Sequence, residues 1–537
     1  MAVARLTKVT VRAPPAELGV LIARLIEFER FHPSRREGLL QDISIVLLSS
    51  RAQSTYGWAT ELLASPAFDG VDLPRSPPAE FTAHDVDELL REFEEDLEVL
   101  DRNIPLLRST EDRRTFAGML RQIQSASLTL FHAMERLLVL PADDRAVSIE
   151  GYIPTDARDR FRSLLGPFLV AEVPVVRRQR EDPYVPTLLV NPRVISLFER
   201  FTLQRGIPRY SEIDPTPIIA LVFPVFFAIM FGDLGHGITL LAVGAYLAAR
   251  TRYAYWGQLL MVFGVVCAAV GVARGVFFGV TFSTPLSGYF AIHPAFNATL
   301  TLSYIPLLIE FAILIGTFHL SSAYAIAIVN QLRSGDYAEA AVKGAPTLVL
   351  YASLVPFGLA VLGTGLRPQV LFISAAPTPF FREFLGLSLP VGDVAAVTLP
   401  LIIGSFAVLV TGPAMVRYYR SGSVRRALRQ LRDGLMEAVA RPVEFVMNTL
   451  SYIRLAALLI TNTLLGGLVA GVLAFGWVGV ALAAFLNVLL MAMEGFIVYL
   501  QDMRLHLYEW FSKFYSGTGT AFSPIVSREG AVAIHWV

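Results

Sequence analysis

Cysteine is nearly absent from this chain. The one thiol, Cys267, lies in an apolar run, so neither a disulfide framework nor a thiolate metal cluster can form within it. Lysine is scarce as well: Lys8, Lys343 and Lys513 are the only three among 45 basic residues. That imbalance reads mainly as genomic composition, although Arg keeps its charge more reliably than Lys in a low dielectric. No Gly-rich phosphate loop follows a strand in the first half, which argues against nucleotide chemistry there. The start, Met1-Ala-Val-Ala-Arg5, lacks a charged residue followed by an apolar run and a small-residue cleavage site. No signal peptide is expected, and the first half is expected to stay in the cytoplasm.

Charge is the most telling shortage. Only 17% of the 537 residues are charged, 54% are hydrophobic, and mean hydropathy is +0.54. Soluble domains carry about 25% charge, so a membrane is required. The 45 basic and 45 acidic residues cancel, but they are unevenly placed. Residues 1–212 hold 27 basic and 31 acidic side chains, leaving 18 and 14 for residues 213–537. A single-domain soluble enzyme is excluded, and nothing calls for a nucleic-acid partner.

In the first half, Lys8-Val-Thr-Val-Arg12 alternates like a strand, and Glu17 to Arg30 has a helical apolar period. Ile43-Ser-Ile-Val-Leu-Leu48 fits a strand or a helix start. From His84 to about Leu140 apolar residues recur at three and four, with a break at Pro105 and a helix start at Ser109. This predicts two antiparallel helices, either an arm that docks another subunit or a hairpin inside a globular domain. Val147-Ser-Ile-Glu-Gly-Tyr-Ile-Pro154 and Val170 to Val176 read as strands flanking a helix over Asp156 to Leu165.

The second half divides into apolar stretches at about 218–231, 238–249, 256–280, 303–330, 346–366, 396–416, 443–475 and 478–512. A bilayer needs about 20 residues per span, which gives eight, the last two long and tilted. The first pair meets at Gly232-Asp-Leu-Gly-His-Gly237. With the N-terminus inside, Arg250, Arg252, Arg333, Lys343, seven arginines from Arg417 to Arg441, Lys513 and Arg528 fall on the inner side. Only Arg367 and Arg382 fall outside, so positive-inside bias places both termini in the cytoplasm. The sequon Asn297-Ala-Thr299 falls outside too and reads as a chance match. The expected fold is therefore multidomain. Residues 1–212 form a cytoplasmic α/β domain with a helical hairpin arm, and 213–537 an all-α polytopic domain of eight transmembrane helices.

Ionisable groups at bilayer depth cost several kcal/mol and normally face a protein interior or a wet cavity. The seventh stretch carries Arg454; the eighth carries Glu494, Gln501, Asp502, Arg504 and Glu509. At 100° per residue Glu494, Gln501 and Arg504 form one stripe, which Tyr508 extends. One reading is an ion path with fixed positive charges. The other is a static network in which Glu494 and Asp502 neutralise Arg454 and Arg504. Asp233 and His236 sit at the break, where capping of helix ends is the favoured role and titration of the His the alternative. Arg274 is expected to snorkel outward, while Glu310 and His319 line a wet passage or pair with each other. Glu437 and Glu444 lie near the inner surface.

These residues resemble one family: the stator membrane subunit of rotary V-type and archaeal or bacterial A/V-type ATPases, called subunit a, or subunit I in prokaryotes. The matching stretches are Pro192-Arg193 with Phe198-Glu199, Pro208-Arg-Tyr-Ser-Glu-Ile-Asp-Pro215, and Phe223-Pro-Val-Phe-Phe-Ala-Ile-Met-Phe-Gly-Asp-Leu-Gly-His-Gly237. They continue with Asn448-Thr-Leu-Ser-Tyr-Ile-Arg-Leu455 and Arg504-Leu-His-Leu-Tyr-Glu-Trp-Phe-Ser-Lys-Phe-Tyr515. The resemblance implies that Arg454 and Arg504 are the two arginines presented to ring carboxylates and that Glu494 belongs to a half-channel. Gln501 is a polar channel residue, and Glu444 or Glu437 stands for the family's upstream acid. Asp233 and His236 match its hairpin motif.

The implied function is ion translocation (H⁺ or Na⁺) through two offset half-channels, coupled to ATP hydrolysis or synthesis in other subunits. The chain itself would be non-catalytic, with no cofactor or metal, in the plasma membrane of a prokaryote. Implied partners are a ring of small membrane subunits, peripheral-stalk subunits of the E and G type, the central-stalk cap subunit and the lipid bilayer. A secondary transporter would need a site made by this chain alone, often with inverted repeats, and none is clear. A simple anchor would leave both arginines unexplained.

Overall fold

The alternation at Lys8–Arg12 becomes strand β1 (Leu6–Ala13), with Val9, Val11 and Ala13 buried on one face. The structure, a computed structural model, describes residues 3–34, 42–68, 79–107, 109–143, 146–176, 184–283, 305–364, 367–376, 388–525, 528–529 and 532–536. The sequon at Asn297 and Arg382 lie outside the described residues.

β1 sits inside a five-stranded antiparallel sheet of order β2 (His32–Pro33), β5 (Ala146–Pro154), β1, β6 (Leu169–Pro174), with β4 (Val139–Asp143) also on β5. Gly151 pairs with Val9, and a Cβ there would overlap the Phe31 ring and the His32 carbonyl. Helix α1 (Leu18–Phe28) buries Leu18, Leu21, Ile22, Leu25 and Ile26 in the same core as the inward residues of β1 and β5.

Ile43–Leu48 opens a helix, not a strand: α2 (Ile43–Leu63), capped by the Asp42 carboxylate on the Ser44 amide at 2.9 Å. Its buried positions, Ile45, Ala52, Thr55, Ala59 and Leu62, are spaced by seven, three, four and three. Six residues are too few to reveal that period. Strand β3 (Ala79–Ala83) leads into α3 (Val86–Asn103), capped by Asp85, and α4 (Thr110–Arg136), capped by Ser109. The expected hairpin forms, but α2 packs along α4 as a third helix. All three share one apolar core with the sheet.

Helix α5 (Arg158–Leu165) aims Arg158 and Arg162 at Glu172 on β6; Arg162 Nη2 lies 2.7 Å from the carboxylate. After β7 (Pro186–Thr187), α6 (Arg193–Ser196) and α7 (Glu199–Gln204), the chain turns apolar. Helices α8 (Thr216–Phe231), α9 (Leu234–Arg250) and α10 (Ala254–Arg274) follow, then the short strands β8 (Val276–Phe277) and β9 (Val280–Thr281). Gly237 and Gly244 on α9 face Gly257, Gly264 and Gly271 on α10, each row spaced by seven. A Cβ at any of these would strike the neighbouring helix, so glycine lets the two backbones touch, as between membrane helices.

Helices α11 (Ile305–Arg333), α12 (Ala345–Gly363), α13 (Val391–Ser421) and α14 (Val424–Leu450) come next. The chain turns at Ser451 and Tyr452, resumes as α15 (Ile453–Val472), and reverses at Gly476, φ 65°, into α16 (Gly476–Arg504). A π-helical segment, Leu505–Trp510, closes the run. Among the described residues five helical segments are long and apolar enough to cross a membrane, the last being Val424–Lys513, which takes in α14, α15, α16 and the π-helical segment. Thr216–Phe231 is apolar but shorter. The chain is a multi-pass membrane protein. The stretch expected over 443–475 is not one helix: it divides at residues 451–452 between α14 and α15.

The last residues return to the first half. Strand β10 (Thr520–Ala521) runs parallel to β7, and β12 (Val532–Trp536), beside β11 (Arg528–Glu529), runs parallel to β3. Between them Arg136 donates to the carbonyls of Ser523 and Pro524, and the Ile525 amide to Phe31 at 2.9 Å. Residues beyond Tyr515 thus pack on the α/β region.

Burial of Glu172 opposes its ionisation, yet the hydrogen bonds from Arg158 and Arg162 prevail and hold its carboxyl below the ordinary 4.5. A lowered folded-state pKa adds stability above the ordinary value and loses it as pH falls through the lowered one. Acidification below about pH 4.5 should therefore reduce the thermal unfolding midpoint more steeply in the native protein than in Glu172→Gln. Equal slopes in the two proteins would refute this account.

Candidate functional site

Arg454 begins α15 and remains 21% exposed; its Nη2 donates to Glu509 Oε1 at 3.0 Å, and Glu509 is 7% exposed. The π segment carries Glu509, and its extra residue per turn swings that side chain toward α15. Only half of each group is used. Arg454 Nη1 and Glu509 Oε2 are buried without a hydrogen-bond partner among the described residues.

On α16 the expected stripe crosses the edge of the packed face. Glu494 is 6% exposed, Gln501 is half-buried with an unpaired Oε1, and Arg504 is exposed. Tyr508 continues the stripe outward at 65% exposure. Arg504 has no acidic partner among the described residues. Asp502 lies about 200° round the helix from it and is fully buried. The static network of Glu494 and Asp502 with Arg454 and Arg504 is therefore not the one that forms: Glu509 holds Arg454, while Asp502 faces His506.

His506 Nδ1 lies 3.0 Å from the Asp502 carbonyl oxygen and 3.2 Å from its carboxylate. Its ring centroid is 5.0 Å from that of His319, which stacks on Trp510 at 5.1 Å and 7°. His319 Nδ1 lies 2.8 Å from Tyr452 Oη, so this His meets Tyr452 and not Glu310. Nine residues apart on one helix, Glu310 and His319 are separated by about 13 Å along the axis. Trp510 Nε1 donates to Ser322 Oγ at 3.0 Å. This cluster ties α11, the turn before α15 and the π segment together. The i,i+4 spacing of Asp502 and His506 was a signal in the sequence; the pairing of residues 319 and 452 carried none.

At the break between α8 and α9, Asp233 accepts the amides of Gly235 (2.7 Å), His236 (3.2 Å), Phe278 (2.9 Å) and Gly279 (2.8 Å). It caps α9 and fastens the β8–β9 turn at once, which bears out the capping role. His236 is buried, stacks on Phe231 at 5.0 Å, and places Nε2 3.2 Å from Asn487 Oδ1 on α16. Arg274 does not snorkel. It is 4% exposed and donates to the Gly232 carbonyl at 3.0 Å and Thr463 Oγ1 at 2.6 Å. The carbonyl freed at the helix break needs a donor, and the guanidinium supplies one.

Glu444 pairs with Lys513, and Glu437 with Arg441 at 2.6 Å and Lys343 at 3.9 Å. They line a cleft of about 410 Å³ bounded by α11, α12 and α14 and opening beside the π segment. The structure thus brings together Arg454 with Glu509 and Glu444 with Lys513, and leaves Asp233 and His236 in a separate junction. Among the described residues no cluster of His, Cys, Asp and Glu is arranged to hold a metal.

Residues 83–256 match the V-type ATPase 116kDa subunit family. The A-type ATP synthase subunit I of Aeropyrum pernix is 28% identical over 70% of this chain and 57% of its own length. Its namesake in Methanocaldococcus jannaschii is 25% identical over 73% and 56%, and that of Saccharolobus solfataricus 23% over 80% and 68%. The chain spans a little over half the length of the first two. The family match runs from the capped helices of the first half across the Asp233 junction. Over that stretch, about a third of its length, the chain is similar to the V-type ATPase 116kDa subunit family, and over 70–73% of its length to the two archaeal A-type ATP synthase subunits I.

Proposed function

We propose that this chain is the membrane stator subunit of a rotary A/V-type ATP synthase and carries ions past a ring of small membrane subunits. The observation that carries the reading is the contrast between its two arginines. Arg504 stands exposed on α16 with no acidic partner among the described residues, and Arg454, pinned by Glu509, keeps 21% of its side chain open. A guanidinium left open on an apolar flank suits a counter-charge arriving from another protein. Arg stays ionised at any working pH, and an opposite charge within about 4–6 Å keeps a carboxylate ionised. A ring carboxylate reaching Arg454 or Arg504 would release its proton, and the fixed positive charge would bar a direct leak between half-channels.

In this reading Glu494 and Gln501 line one half-channel, and the cleft of Glu444, Glu437 and Lys513 opens the other. Asp502 and Glu509 act as fixed charges behind the arginines. The chain spans the membrane eight times with both termini in the cytoplasm of a prokaryote. Residues 1–212, with the returning strands, form the cytoplasmic domain that docks peripheral-stalk and central-stalk cap subunits, and residues 213–515 the membrane domain. ATP chemistry belongs to other subunits.

Arg454→Gln should abolish ATP-driven ion pumping in reconstituted vesicles while the complex still copurifies with its ring. Normal pumping in that variant would sink the assignment. Asp233→Ala should act differently, because it strips one carboxylate from four buried amides, at a cost of about 2–4 kcal/mol. Thermal stability and yield should fall, while ion flux per assembled complex stays near that of the native protein. A fully assembled, stable variant lacking flux would instead place Asp233 on the ion path.

A further inference from the structure

Four arginines crowd the first turns of α14: Arg425, Arg426, Arg429 and Arg432, all exposed. The one nearby acid on the helix, Asp433, approaches Arg432 at 3.4 Å and is itself 54% exposed. Arg425, Arg426 and Arg429 have no acidic partner among the described residues. Glu437 and Glu444 are engaged farther along, by Arg441, Lys343 and Lys513. Arg417 and Arg420, at the end of α13, differ because they line a cleft that also holds Asp336 and Glu339.

At 100° per residue, Arg425, Arg429 and Arg432 fall within roughly 60° of one another. Met436, Val439 and Val443 continue the same strip, exposed by 70%, 58% and 66%. The opposite side of α14 is the packed one, with Gly434, Ala438, Phe445 and Thr449 buried. Tyr418 and Tyr419, 47% and 75% exposed, stand at the elbow before it, where amphipathic rings favour the headgroup layer.

The strip is cationic at one end and apolar at the other. A soluble anion would need the cations and gain nothing from the apolar row. A soluble protein would gain little from a row set along a membrane helix. A phospholipid with an anionic headgroup presents both properties in the same order. Guanidinium forks match phosphate oxygens in pairs, and basic clusters beside a span draw anionic lipid.

We infer that the α13–α14 elbow binds an anionic phospholipid, with Arg425, Arg429 and Arg432 on the headgroup phosphate and Met436, Val439 and Val443 along the acyl chains. This does not depend on ion translocation. The test uses the full-length protein taken from bilayers of phosphatidylcholine with phosphatidylglycerol, its retained lipids counted by native mass spectrometry. R425Q/R429Q/R432Q should retain phosphatidylglycerol about tenfold less well than the native protein, with phosphatidylcholine unchanged. R425K/R429K/R432K should fall between, keeping charge but losing the fork, and R417Q/R420Q should match the native protein. Equal phosphatidylglycerol retention in the triple Gln variant would overturn the proposal. Displacement of the lipid by inorganic phosphate, marking a free-anion site, would also overturn it. So would unchanged lipid retention coupled to lost association with other subunits, which would mark a protein contact.

Discussion

A guanidinium packed between apolar helices must be partnered, because an uncompensated charge there costs several kcal/mol. The 3.0 Å contact of Arg454 with Glu509 meets that requirement. It holds the start of α15 against the π segment that ends α16. The π turn matters because a regular helix would direct residue 509 elsewhere. Just behind the pair, His319, Tyr452, His506 and Trp510 pack ring on ring and fix the angle at which α15 leaves the turn at residues 451–452. The pair is polar and half-satisfied, but its surroundings are aromatic and close-packed. That arrangement lets one charged side chain stay partly open without loosening the bundle.

The junction at Asp233 solves a different problem. Breaking a membrane helix frees backbone groups that lipid cannot satisfy. Here the carboxylate takes four amides and Arg274 takes the Gly232 carbonyl, so opposite charges stabilise opposite poles of the break. The glycine rows of α9 and α10 then allow the two helices to pack at backbone contact. A similar economy appears where the chain ends: β12 joins β3, so the last membrane helix and the α/β region are linked at both ends of the sequence.

Much of this was legible before any coordinates. Alternation marked β1, β5 read as a strand, three-four spacing marked α3 and α4, and Ser109 marked where α4 begins. The Gly-Asp-Leu-Gly-His break was visible at Asp233, with capping as its purpose. Illegible were features that depend on a partner distant in sequence. Arg274 looked like an end-of-span arginine free to reach water, but the Gly232 carbonyl, 42 residues earlier, claims it. Asp502 looked like a counter-charge for the arginines; being on the far side of α16, it meets His506 instead. Ile43–Leu48 was too short a window to distinguish two periods.

Composition and order by themselves determined that this is a charged α/β region followed by a multi-pass, charge-poor one, because the free energy of placing a side chain in lipid depends first on its residue type. They also fixed which residues would be costly to bury: Arg454, Glu494, Asp502, Arg504 and Glu509. Only the tertiary structure decided which of these neutralise one another. Pairing depends on helix phase, on one π turn and on contacts between segments up to 55 residues apart. Sequence named the charges, and packing left Arg504 exposed, Asp502 enclosed and Arg454 mostly buried with 21% of its side chain open.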